Sequence, residues 1–272
     1  MAKKTKSLKQ KKQVLTNTSP VDKQFDLIEE QIVQQRYAEA VVTCERLLSY
    51  LPQHARQRAA VWAHLGTAQA MLQHFPQSYE AFSQALALEP QNADHWYNRS
   101  IASCYTMRFG QALRDAERAI ELNTSSELTE KLADALQLCR QQAEESMRLR
   151  GPAFTLDQLI QQEHLFQQGL EWMEAGKHEE ARQAFQSSID MGDCLPQPWG
   201  NLGVCLLMQE RYDEAEGALK RALEIDPDYT IAKNNLSALR ISRRTGPPAR
   251  VELTEPFKHS KLNQSITFLK EK

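Results

Sequence analysis

Long apolar runs are missing from this chain of 272 residues. No stretch of about 18 consecutive apolar residues occurs, so no membrane-spanning helix is expected. The lysine-rich start leads into no apolar stretch of the kind a secretory signal needs, and it lacks the arginines and apolar stripe of a transit peptide. Paired cysteines are missing too. Cys44, Cys104, Cys139, Cys194 and Cys205 are odd in number, irregular in spacing and without a Cys-x-x-Cys, which argues against a disulfide framework or a zinc site. Free cysteines on apolar helix faces act as small hydrophobes and suit a reducing compartment, so a cytoplasmic location is expected. No His-Glu-x-x-His, glycine-rich phosphate loop or Gly-x-Ser-x-Gly elbow occurs, and the histidines are scattered without ligand spacing. The sequence therefore predicts no catalytic residue, no cofactor, no metal and no enzyme.

Glycine and proline are also scarce, at 10 and 11, while Ala, Leu, Gln and Glu, all good helix formers, are abundant. With 41% apolar and 25% charged residues the chain has the composition of a soluble helical array. The net charge is -2, unevenly spread: Lys3, Lys4, Lys6, Lys9, Lys11 and Lys12 all precede the first acidic residue, Asp22.

What is present is repetition. Trp62-Ala-His-Leu65-Gly66 returns as Trp199-Gly-Asn-Leu202-Gly203, and each opens a unit that closes at Pro90 or Pro227. Trp96 falls 34 residues after Trp62, Ala119-Ile120 fall 34 after Ala85-Leu86, and Ala181 and Ala215 are again 34 apart. Two contiguous units run from Ala59 to Asn92 and from Ala93 to Ser126, and two more from about Gln162 to Leu195 and from Pro196 to Tyr229. Tyr37-Ala-Glu-Ala40 matches Tyr212-Asp-Glu-Ala215 and marks an atypical first unit. A period of this size means stacked helix pairs that bury their apolar faces against neighbours. A central glycine lets the second helix approach, with Ser78, Ala112, Ala181 and Ala215 as its small partners. Phe82, Phe185 and Leu219 continue the apolar stripe at helical spacing.

These residues resemble the tetratricopeptide repeat family over about two thirds of the chain. The resemblance implies an all-α fold, a right-handed α–α superhelix or solenoid of stacked antiparallel helix pairs. One unit departs from the pattern: Arg99-Ser100 stands where its neighbours have Leu-Gly, and Thr124 replaces the closing proline. Its helices are expected to pack less tightly, or Arg99 to point outward.

Four segments are expected: a basic flexible arm (1–20), an N-terminal module with a long connecting helix (21–150), a C-terminal module with a capping helix (151–242) and an extended tail (243–272). The break is placed at Gly151-Pro152, followed by a capping box at Thr155-Leu-Asp-Gln158. Alternatively, Glu127 to Gln161 form a worn repeat within one continuous superhelix. Ser265-Ile-Thr-Phe-Leu269 in the tail docks back on the body, docks on a partner or stays disordered.

The resemblance also implies a function, since the first helix of each pair in this family lines a concave groove that receives peptides. The residues assigned to the groove are His64, Tyr97, Asn98, Ile101, Tyr105, Phe166, Leu170, Asn201, Val204 and Asn235. Asn98, Asn201 and Asn235 hold equivalent repeat positions, and an amide can both donate to and accept from a peptide backbone. The lysines and arginines of a chaperone carboxylate clamp are absent: Phe166, Leu170, Ile231 and Asn235 stand in their places. The expected function is a non-enzymatic adaptor or scaffold for protein–protein interaction, monomeric by default, with a protein or peptide ligand and no membrane contact. The alternative is an RNA- or ribosome-associated protein using the lysine arm, through weak electrostatic contact with nucleic acid.

Overall fold

The computed structural model describes residues 19–53, 57–124 and 126–248. The lysine arm and the Ser265–Leu269 cluster lie outside the described residues. Twelve helices and no strands occur among those described, and none of the helices is long and apolar enough to cross a membrane. The chain divides into two compact units, with the division after Pro90. The break expected at Gly151-Pro152 falls inside the second unit instead, because helices on both sides of it pack on a common neighbour, described below.

The first unit holds α1 (Pro20–Val33), α2 (Tyr37–Tyr50), α3 (Gln57–Met71) and α4 (Phe75–Leu88). Its core gathers Ile28, Cys44, Leu47, Val61 and Leu65. The second unit holds α5 (Ala93–Tyr105), α6 (Phe109–Leu122), α7 (Ser126–Arg150), α8 (Leu156–Glu174), α9 (His178–Met191), α10 (Pro196–Met208), α11 (Tyr212–Ile225) and α12 (Thr230–Thr245). Paired helices α3–α4, α5–α6, α8–α9 and α10–α11 make the most extensive contacts. This is the antiparallel pairing that the repeats predict.

Close approach within the α3–α4, α8–α9 and α10–α11 pairs depends on glycine. A Cβ built on Gly66 would come within 2.8 Å of the Phe82 ring, and one on Gly203 within 2.7 Å of Leu219. Ser78, at the small position of α4, donates to the Gly66 carbonyl at 2.9 Å and ties the pair across this contact.

The turns inside the pairs share one geometry that the sequence did not announce. Gln35, Gln73, Met107, Gly176 and Glu210 all have left-handed backbone, with φ between 58° and 71°. In each turn the following amide reaches back to the first helix, as Arg211 N to Leu206 O at 2.9 Å and His74 N to Gln69 O at 2.9 Å. These are Schellman closures, which usually place glycine at the left-handed residue. Only one of the five does so here.

Where the next such turn would fall, after Arg140, α7 continues without a break to Arg150. Its buried stripe is Leu132, Ala135, Cys139 and Ala143, facing α5 and α6. The long helix is thus the first helix of a unit whose second helix never forms. Thr155 and Gln158 make the expected capping box, with Thr155 N donating to Gln158 Oε1 at 2.8 Å. α8 starts there, six residues before its repeat, and its added first turn packs Leu159 and Ile160 on Gly110 of α6. The closing helix expected over 230–242 runs on to Thr245.

Candidate recognition surface

Helix α5 begins at Asn92, whose Oδ1 accepts from Asp94 N at 3.1 Å, a side-chain cap of an orphan amide. From this start Tyr97, Ile101 and Tyr105 fall at intervals of four on one half-exposed stripe, with Asn98 beside them. Burial pushes the Tyr97 hydroxyl pKa up, with Asp134 and Cys139 adding to it, which places Tyr97 next to α7. Tyr105 is raised too, chiefly by burial. Both phenols therefore stay neutral at physiological pH, as hydrogen-bonding tips on apolar rings.

On the opposite side of α5, Arg99 turns inward. Its Nε and Nη2 donate to Asp115 Oδ2 and Oδ1 of α6, each at 2.8 Å. Gln111 Nε2 adds a third bond to Oδ1 at 2.6 Å, and the guanidinium lies 4.8 Å from the Trp96 ring centroid. Asp115 is fully buried. The irregular unit is held by an ion pair, and of the two expectations for Arg99, the outward one is excluded.

The remaining assigned residues divide by burial. His64 is half-buried against α1, edge-on to Phe25 at 5.2 Å, with Nε2 4.0 Å from Glu29. Leu170 is partly buried on the core of α8–α11. Phe166 is a core residue rather than a groove residue: it lies one turn from Gly169, on the face that receives Phe185, and meets that ring edge-on at 5.6 Å. Val204 and Asn201 are buried as well, because α10 is packed against α9, α11 and α12 at once. A helix that reads apolar nearly all round, as Leu202-Gly-Val-Cys-Leu-Leu-Met208 does, belongs inside. That signal was available in the sequence. Asn235 is only 6% exposed, and among the described residues its Nδ2 has no hydrogen-bond partner. The accessible groove candidates brought together are thus Tyr97, Asn98, Ile101 and Tyr105.

One buried carboxylate escaped the sequence reading. Glu163 of α8 directs both oxygens at Gly110 N, 3.1 Å each, and so caps α6, whose own N-cap residue Arg108 makes no side-chain cap bond. Burial pushes its pKa up to about 7, against the opposing pull of the backbone amides and Arg150. Beside it, Gln162 donates to the carbonyls of Ser188 at 2.8 Å and Gly192 at 2.9 Å and accepts from Arg150. A polar Gln-Glu pair within the apolar face of α8 was the only hint. Among the described residues no cluster of three or more histidine, cysteine, aspartate or glutamate side chains could hold a metal ion.

Residues 196–229, the whole of α10 and α11 with the turn to Tyr229, match the sequence model of the tetratricopeptide repeat. The same glycine contact recurs in the α3–α4 and α8–α9 pairs. The chain carries a tetratricopeptide repeat. It is 33% identical over 82 residues to the peroxisomal targeting signal receptor of Yarrowia lipolytica, a match covering 30% of this chain and 14% of the receptor. Among solved structures, this repeat protein is similar to the tetratricopeptide domain of P58(IPK), at 11% identity and TM-score 0.44, covering 82% of this chain and 65% of that one. It is also similar to YrrB, a repeat protein with an unusual peptide-binding site, at 18% identity and TM-score 0.39 over 79% and 90% of the two chains. The chain spans under two thirds of both the receptor and the P58(IPK) domain.

Proposed function

We propose that this repeat protein is a non-enzymatic adaptor that holds a segment of another protein against the first helices of its pairs, chiefly α5. The observation that carries this reading is the half-exposed stripe of Tyr97, Ile101 and Tyr105 with Asn98 alongside. Tyrosine offers large apolar area with few rotatable bonds and a polar tip, a combination enriched where proteins bind proteins. An amide adjacent to such rings can take both N–H and C=O of a peptide backbone. The Yarrowia relative is by name a receptor for a targeting signal, which supports a receiving role for the repeats.

Selection from a displayed peptide library tests it, with wild type compared against Tyr97→Ala combined with Tyr105→Ala, and against Asn98→Ala. Loss of both rings is expected to weaken selected peptides by on the order of 30-fold, as removal of interface hot spots does, with the circular-dichroism melt retained. If wild type selects nothing, the adaptor reading fails. If neither variant weakens the selected peptides, the contact does not lie on α5.

A further inference from the structure

Cys104 on α5 and Cys139 on α7 bring their sulfur atoms to 3.3 Å inside the second unit, both fully enclosed. The contact joins the first helices of two successive units. It is unlike the setting of another buried thiol, Cys205, which faces the thioether of Met173 at 3.1 Å. It also sits where the array is weakest in partners. α7 has no second helix of its own, and its outer face, with Leu136, Arg140 and Glu144, borders an open groove of about 480 Å³ against Ile120. What holds α7 is its packing on α6, with smaller contacts to α5 and α8.

We propose that Cys104 and Cys139 are a disulfide-forming pair, and that their oxidation staples α7 to α5. The sulfurs must close from 3.3 Å to about 2.05 Å, a small movement for two helices already in contact. A water-sized oxidant, hydrogen peroxide, suits so enclosed a pair. One thiolate attacks a peroxide oxygen, the O–O bond breaks, and a sulfenic acid and hydroxide result. The second thiolate then displaces hydroxide from that sulfur as the S–S bond forms. Two electrons pass from the sulfurs to peroxide, and the two thiol protons leave in two waters. The hydrogen bond shared with Cys139, together with burial, holds the Cys104 pKa well above that of a free thiol. Oxidation is therefore slow and needs local opening of α7, while the disulfide once closed resists reduction. The staple fixes the spacing between α7 and the helix carrying Tyr97, Ile101 and Tyr105.

The test uses the full chain titrated with hydrogen peroxide, quenched by alkylation under denaturing conditions, digested without reductant and read by mass spectrometry. The expected product is a Cys104–Cys139 linked peptide pair, two hydrogens lighter than the thiols and lost on adding dithiothreitol. Amides of residues 130–150 should then exchange at least about tenfold more slowly, the protection a cross-link confers on a locally opening element. Cys139→Ala should lose both effects. Should that variant fold poorly, Cys104→Ala and the oxidised against reduced wild type carry the same comparison. Cys194, the partly exposed thiol, reports that oxidant has reached the protein. The proposal is overturned if Cys194 is oxidised while Cys104 and Cys139 stay fully alkylatable, or if the link forms and exchange in α7 is unchanged.

Discussion

The bidentate bond from Arg99 to Asp115 replaces an apolar contact used elsewhere in the array. In the preceding unit the matching residues are Leu65 and Ala81, and in the last they are Leu202 and Ala218. Burial raises the Asp115 pKa, while the Arg99 bonds and charge pull it back. Two charges this enclosed need one another far more than the fold needs either.

Asp115→Ala alone should cost about 3–5 kcal/mol, because it leaves a guanidinium buried without its counter-charge. Arg99→Leu combined with Asp115→Ala rebuilds the pair of the neighbouring units and should restore wild-type stability or exceed it. Urea midpoints of the three proteins decide this. A double variant as weak as the single would mean that the ion pair supplies stability an apolar pair cannot.

Glu163 gives the folded chain a proton that the unfolded chain has released anywhere between the ordinary glutamate value of 4.5 and about 7. Stability should therefore be highest at the acid end of this window and fall as pH rises through it, by on the order of 3 kcal/mol. Asp115, also raised, works in the same direction. The difference between wild type and Glu163→Gln isolates the α6 cap. Urea titrations at several pH values should show this difference sloping between pH 4.5 and 7 and flat above. No slope would mean that the carboxylate does not titrate there.

The irregular unit also carries Ser100 where others have glycine, and there the second helix offers Ala116 in place of Phe82 or Leu219. Each serves the other, since a Cβ on the first helix is tolerated only when the facing residue is small. Gly203→Ser alone should cost about 1–3 kcal/mol through overpacking. Leu219→Ala alone should cost about 2–5 kcal/mol. Together they should cost less than the sum of the two, a coupling that a double-mutant cycle measures. Strict additivity would show that the 2.7 Å contact computed for a Cβ at Gly203 is relieved elsewhere.

Repetition made the pairing legible from Trp62, Gly66, Phe82 and their counterparts, since spacing alone brings those residues into contact. The long helix after Ser126 and the Thr155 cap were legible because no breaker interrupts the one and a reciprocal Thr-Gln pattern marks the other. The left-handed turns were not. Gln35, Gln73, Met107 and Glu210 carry no glycine signal, and Schellman hydrogen bonds close each of these turns. Much of the groove assignment failed on a tertiary fact: whether a first helix keeps an open side depends on how many neighbours close over it. α10 is enclosed by three helices, so Asn201 and Val204 vanish into the core, while α5 keeps Tyr97 and Tyr105 in reach of solvent.

The uninterrupted α7 acts on the array as a stacking fault acts on a crystal. From Met107 to Gly176, the left-handed residues on either side of it, the chain advances two repeat lengths and one residue more. Positions before and after the fault therefore belong to different reading frames. A partner that engages first helices on both sides of α7 would have to match two offset registers, and a ligand with a single regular periodicity fits only one.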